Sequence, residues 1–269
     1  ITHMENNLTS SLKGFNALVC GSTSGIGKAA AMELAELGAN ITLFGRSIEK
    51  LEALIPQLFI SDLQKHNYLV GDFNHPEEIK HIISENIDEG EPFHILINNS
   101  GGPKGGPIID ADISEFNTAF HRHLVCNHIL AQALVPGMKS AGYGRIINII
   151  STSVKEPIQG LGVSNTIRGA VASWAKTLSA EIGEFGITVN NILPGFTDTE
   201  RLSSLIKSKA EASGNSEQEV TSSMLVQVPA GRFGKPEETA KAIAFLVSPA
   251  AGYINGVSLA VDGGRLSCI

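Results

Sequence analysis

Residues 16–46 read NALVCGSTSGIGKAAAMELAELGANITLFGR. The apolar run NALVC is short enough for a strand and ends on Gly21. Glycines follow at 25 and 27, and the alanine-rich segment behind them has the composition of a helix. A second apolar run, NITLFGR, begins at Asn40. Strand, glycine turn, helix and strand make one βαβ unit, whose crossover between parallel strands is right-handed. Gly21 permits a tight turn, Gly25 lets backbone approach a phosphate, and Gly27 lets helix and strand pack closely. The start of the helix can then hold a pyrophosphate on its free N–H groups. Ile26 sits between the last two glycines, and Ser22, Thr23 and Ser24 offer hydroxyls to a phosphate or to the helix start. A glycine turn without a ligand would use the same residues. Its place at the head of a βαβ series favours the dinucleotide.

The alternation continues. Strands are expected at 67–73, 93–102, 144–151, 187–195 and 257–264. Helices are expected at 47–58, 75–90, 113–140, 161–183 and 237–248, with Pro76 in the first turn of its helix. The expectation is an α/β chain with a single-domain Rossmann fold. Its doubly wound parallel sheet has about seven strands, with helices on both faces. Residues 13–269 would form the NAD(P)-binding domain. Residues 1–12 read as a cloning remnant, ITH before Met4, and an N-terminal extension. The polar stretch 198–224 follows a strand end and is either a substrate lid or a surface helix pair.

Bulk properties narrow the function. The 269 residues are 42% hydrophobic, enough for a large core. The formal net charge is −7 and no Lys/Arg run occurs, which argues against nucleic acid and anionic membranes as partners. No apolar run reaches membrane-spanning length. Cys20, Cys126 and Cys268 are sparse, odd in number and without metal spacing, which suits a reducing cytoplasm. His121, His123 and His128 are two and five residues apart, so no metal site is expected.

The end of the second strand selects the cofactor. NAD sites place a carboxylate there for the ribose 2′-hydroxyl, whereas this chain has Gly45 and Arg46. Arg46 can pair a 2′-phosphate bidentately, which favours NADP(H) over NAD(H). The alternative is a solvated loop arginine.

These motifs together resemble the short-chain dehydrogenase/reductase family, most of all its β-ketoacyl-acyl-carrier-protein reductase branch. The resemblance runs from about Lys13 to Gly264. CGSTSGIG is similar to the family's TGxxxGIG, with Cys20 in the threonine position. GDF at 71–73 resembles the adenine-contacting segment, which gives that role to Asp72 and Phe73. NNSG at 98–101 resembles NNAG, adding Asn99, Ser100 and Gly101 to the cofactor site. ILPGFTDT at 192–199 resembles the segment that holds the nicotinamide, adding Pro194, Gly195, Thr197 and Thr199. VPAGRFGKPEETAKAIAFLVS and VDGG match the family's tail. The resemblance also implies a small-molecule substrate and a homodimer or homotetramer.

The family's catalytic set of Asn, Ser, Tyr and Lys carries over only in part. Ser151 of NIIS holds the serine position. Thirteen residues on, Ser164 replaces the Tyr, and four further on Arg168 replaces the Lys. His123 falls at the Asn position of the long helix. A serine hydroxyl is a much weaker acid than a phenol, and Arg stays protonated where Lys can shuttle protons. Arg168 can still hold ribose hydroxyls. His123 is either the replacement acid or a packed histidine without chemistry. Helix geometry turns His121 and His123 to different faces. The glycine-rich stretch SGGPKGGP at 100–107, with Lys104, is either a lining of the substrate entrance that offers a cation or a merely flexible loop.

Three functions are open. The first is an NAD(P)H-dependent oxidoreductase reducing a 3-oxoacyl-like or other ketone with a non-standard Ser164/Arg168 pair. The second is an NADP-binding sensor or partner subunit without turnover. The third is another reaction on the same scaffold, such as dehydration or isomerisation.

Overall fold

The computed structural model describes residues 11–61, 64–87 and 90–268. Residues 1–10, most of the expected remnant and extension, lie outside the described residues. Leu12 is fully buried in the core and its N–H donates to Leu37 O at 2.8 Å, so the folded unit includes at least one residue before Lys13.

All seven expected strands form, several shorter than their apolar runs. They are β1 (Asn16–Cys20), β2 (Asn40–Gly45), β3 (Asn67–Val70), β4 (Ile95–Asn98), β5 (Gly144–Ile149), β6 (Ile187–Pro194) and β7 (Ser258–Val261). Every pair is parallel, in the order β3-β2-β1-β4-β5-β6-β7. The direction of winding reverses between β1 and β4, and such a switch point opens a crevice at the carboxyl ends of the strands.

The connecting helices are α1 (Gly25–Glu36), α2 (Ile48–Leu54), α3 (Pro76–Glu85), α4 (Ile113–Phe120), α5 (Cys126–Ala141), α6 (Gly162–Ile182), α7 (Glu200–Ser213), α8 (Glu217–Leu225) and α9 (Pro236–Val247). Alternation along β1 shows why both faces are covered. Ala17 and Val19 pack with Ala31 and Leu34 of α1, Leu51 of α2 and Ile243 of α9. Leu18 and Cys20 point the other way, to Ile79 of α3, Leu130 and Leu134 of α5 and Ala175 of α6. Each buried Val, Leu or Ile among them contributes about 1.5–3 kcal/mol by leaving water.

Two expectations change in detail. The helix expected at 47–58 becomes α2 and a 3-10 turn, Ile55–Gln57, where Pro56 interrupts the hydrogen-bond pattern. The helix expected at 113–140 is split by a π-helical turn, His121–Val125, between α4 and α5. Apolar periodicity does not reveal one extra residue in a turn. Stretch 198–224 forms the pair α7 and α8 around its own small core of Leu202, Ile206, Val220 and Met224.

A polar row crosses the sheet from the end of β4 to the start of β7. Asn98 Nδ2 donates to Asn148 Oδ1 at 2.9 Å, and Asn148 Nδ2 to Asn191 Oδ1 at 3.0 Å. Asn191 Nδ2 then donates to Ser258 Oγ at 3.1 Å. The strands place these four residues in register, and all three amides are buried.

Candidate active site

One cleft of about 490 Å³ lies over the switch point. Its walls come from the loops after β1, β2, β3, β4, β5 and β6 and from the starts of α6 and α7.

The loop after β1 forms the floor. Gly21 and Gly25 have φ of +57° and +52°, the left-handed region that disfavours other residues. A Cβ on Gly27 would collide with the Gly21 carbonyl and lie 2.7 Å from Asn99 Nδ2, so the start of α1 packs directly on its own loop. Ser24 caps α1 in position, yet its side chain makes no capping hydrogen bond and the first turn holds no acid. The free N–H groups of a helix start attract anions. Thr23, Ser24, Gly25 and Ile26 line the cleft with Gly21. Ser22 and Gly27 do not; Ser22 is fully buried with its hydroxyl on the Phe44 carbonyl at 3.4 Å.

Arg46 and Asp72 stand at the ends of β2 and β3. Arg46 Nη1 lies 3.9 Å from Asp72 Oδ2, and the Arg46 side chain is 71% exposed. Partial burial opposes ionisation of Asp72. Hydrogen bonding from Asn74, with Arg46 and His75 nearby, outweighs it and holds the carboxyl below its ordinary value. Phe73 also lines the cleft, its ring against Phe44 with centroids 5.4 Å apart.

Beyond β4, Asn99 Nδ2 donates to Gly21 O at 3.2 Å, tying two walls together. Asn99, Ser100, Gly101, Gly102 and Pro103 line the cleft, and Lys104 does not. His123 is also absent from the lining. The π turn buries it to 2% exposure behind Ser100, whose Oγ is 2.7 Å from His123 Nδ1. Burial, then the charges of Arg168 and Arg122, push its pKa well below the ordinary imidazole value, so the ring is neutral near pH 7. Nε2 makes no hydrogen bond among the described residues, and the Gly101 backbone, the smallest influence on the ring, works against the shift. His121 is exposed, on another face.

Ser151, Ser164 and Arg168 meet on the opposite wall. Ser151 follows β5, and its Oγ accepts the Ser153 N–H at 3.1 Å, which leaves its proton to donate. Ser164 and Arg168 are one turn apart on α6 and share a face. Arg168 is buried to 8% exposure, and its Nη1 donates to Ile149 O at 2.9 Å. Burial and the neighbouring Arg201 lower its pKa to about 10, so it remains a cation.

The loop after β6 closes the last side. Pro194, Gly195, Thr197 and Thr199 all line the cleft. A Cβ on Gly195 would lie 2.7 Å from Asp262 Cα, which explains a glycine opposite the chain's VDGG tail. Thr199 caps α7, accepting the Leu202 N–H at 3.4 Å, and its Cγ2 would sit 3.2 Å from a Cβ on Gly25. Sequence reading missed Arg122, Arg201 and Arg265, which line the cleft from the π turn, the first turn of α7 and the tail. Only the threonine cap before Arg201 hinted that a helix would start there. Among the described residues no cluster of three or more His, Cys, Asp or Glu side chains stands ready for a metal.

The family model described as enoyl-(acyl carrier protein) reductase matches residues 21–265. The chain belongs to the short-chain dehydrogenase/reductase family. Within it, the chain is 34% identical to the 3-oxoacyl-[acyl-carrier-protein] reductase FabG of Vibrio cholerae, covering 94% of this chain and 98% of the relative. It is 30% identical to gluconate 5-dehydrogenase of Gluconobacter oxydans, over 94% and 95% of the two chains. The solved structure of L-sorbose reductase from Gluconobacter frateurii, complexed with NADPH and L-sorbose, superposes with a TM-score of 0.90. That match covers 97% of this chain and all of the other at 28% identity. As a short-chain dehydrogenase/reductase related to FabG, this chain is a nicotinamide-dependent oxidoreductase.

Proposed function

We propose that the protein is an NADPH-dependent carbonyl reductase of the short-chain type, working with Ser164 and Arg168 where relatives use Tyr and Lys. The observation that carries this reading is shared placement: Ser151, Ser164 and Arg168 face one cleft with the glycine loop.

The residues present fit a dinucleotide. Left-handed glycines and an uncapped helix start suit the pyrophosphate, Asp72 the adenine and exposed Arg46 a 2′-phosphate. Thr197 and Thr199 would hold the nicotinamide, and Arg168 the adjoining ribose. Bound there, the cofactor supplies the hydride. Ser151 and Ser164 hold the carbonyl oxygen, and proximity and orientation carry most of the acceleration. His123 fixes Ser100 from behind and is a positioning residue. The proton comes from water held by the hydroxyls of Ser100 and Ser151, since no Tyr, His, Lys or Cys lines the cleft among the described residues. The polar pair α7 and α8 would serve as the substrate lid.

Exposed Ile113 and Phe120 on α4 and Leu259 on the edge strand β7 fit burial in a homodimer or homotetramer. A cytoplasmic setting fits the three free cysteines, and no helix among the described residues is long and apolar enough to cross a membrane.

The test is NADPH oxidation across ketones, sugars and 3-oxoacyl thioesters, for the natural protein beside Ser164→Tyr/Arg168→Lys. Turnover by the natural protein supports the reading. Turnover by the double variant alone would mean that the cleft binds cofactor without using it. Isomerisation or dehydration with no net NADPH consumption would point to the third reading.

A further inference from the structure

Two arginines in the cleft share a spot, and among the described residues neither forms an ion pair with a carboxylate, although Glu200 also lines the cleft. Arg168 gives Nη1 to the Ile149 carbonyl, and no acceptor among the described residues takes its other N–H groups. Those groups are not sealed off, because Arg168 lines the cleft and is absent from the buried unpaired atoms. Arg201 reaches in from the opposite wall, where its Nη2 donates to Pro103 O at 2.8 Å. A Cβ on Gly102 would lie 3.7 Å from Arg201 Nη2 and 3.9 Å from Arg168 Nη2, so the two forks flank one point beside the loop after β4. The ion pairs among the described residues are Arg46–Asp72, His81–Glu85 and Arg232–Glu238, and none involves this pair.

Two like charges facing one partly closed space repel unless an anion joins them. In the proposed complex the start of α1 and Arg46 take the cofactor's phosphates, and the ribose that Arg168 would also meet is neutral, so the charge of the pair is left for another anion. A Cβ at Gly102 would touch both forks at ordinary contact distance, so a longer side chain there would enter the space between them. Ser164, which faces the carbonyl in the proposed reaction, lies one turn before Arg168 on α6. One turn is about 5 Å, the span from a carbonyl to an acid group a few bonds away.

We infer that Arg201, with Arg168, forms a subsite for an anionic group on the substrate, a carboxylate or a phosphate, so that the preferred substrates are oxo-acids or oxo-phosphates and not neutral ketones. The inference rests on the reductase reading of the cleft and narrows its substrate. Arg suits this task because its planar fork meets either oxyanion bidentately.

The experiment compares kcat/KM for 4-oxopentanoate with its methyl ester, and for dihydroxyacetone phosphate with dihydroxyacetone. The natural protein should favour the charged member of at least one pair, and which pair decides between carboxylate and phosphate. Arg201→Ala should reduce that preference at least tenfold, and Arg201→Lys should restore part of it. Lys104→Ala, an exposed cation outside the cleft, should leave it intact. Equal use of charged and neutral members overturns the inference. So does an Arg201→Ala variant whose Kd for NADPH weakens by the same factor, since the anion would then belong to the cofactor. If nothing is reduced, the reductase reading falls, and calorimetric titration of the NADP-loaded protein with the same four compounds still reads the subsite. Tighter binding of a charged compound, lost in Arg201→Ala, keeps the subsite; no such difference removes it.

Discussion

Ser100 Oγ lies 2.7 Å from His123 Nδ1, and through this hydroxyl a fully enclosed imidazole touches the cleft. The ring is kept neutral by burial and by Arg168 and Arg122. Its folded pKa is below its unfolded value, so the unfolded chain takes up the proton first as pH falls. The stability is therefore complete above the ordinary value near 6.5 and is lost as pH falls from there through the folded value. His123→Asn keeps a polar partner for Ser100 and removes that titration. The drop in Tm between pH 7.5 and pH 5 should shrink in the variant without vanishing, because half-buried His94 is shifted the same way. An unchanged drop would place the acid sensitivity elsewhere.

The amide row is a stability element. Asn148 is fully buried and bonds both neighbours, so Asn148→Ala leaves Asn98 Nδ2 and Asn191 Oδ1 without partners. Unpaired buried groups cost about 1–3 kcal/mol each, and removing this one side chain should destabilise the fold by about 3 kcal/mol. Urea denaturation reads the change. A loss below about 1 kcal/mol would mean that the sheet relaxes or that water replaces the amide.

Gly27 has no room for a methyl group. Its Cβ would strike the Gly21 carbonyl and press on Asn99 Nδ2. Gly27→Ala should cost about 1–3 kcal/mol by overpacking and shift the start of α1 away from the phosphates. NADPH affinity should fall with stability. A variant with normal Tm and normal NADPH titration would show that the loop tolerates the shift.

Much of this was legible in the sequence because the rules involved are local. Strand β1, the glycine spacing and helix α1 are consecutive in the chain, and NALVCGSTSGIG states them in order. The Ser164–Arg168 spacing likewise fixed a shared helix face. What escaped depended on long-range packing. Whether His123 faces the cleft turns on a π turn that periodicity does not encode. Arg201 enters the cleft because α7 starts at the end of β6 and leans towards Pro103, 98 residues earlier in the chain. Lys104, closer in sequence to the glycines, does not line the cleft.

The proposed preference for NADPH rests on Arg46. Its guanidinium is largely exposed and its contact with Asp72 is long, so little holds it back from a 2′-phosphate. Gly45 before it supplies no carboxylate for a bare ribose. A charge-assisted hydrogen bond contributes about 1.5–3 kcal/mol, equivalent to roughly 10–100-fold in affinity. Arg46→Ala should weaken NADPH by that factor and leave NADH within a few-fold, while Arg46→Glu should reverse the preference by repelling the phosphate. Fluorescence titration of both cofactors against the three proteins measures it. Equal weakening of NADPH and NADH in Arg46→Ala would assign Arg46 to the adenine or to loop stability, and the 2′-phosphate reading would fail.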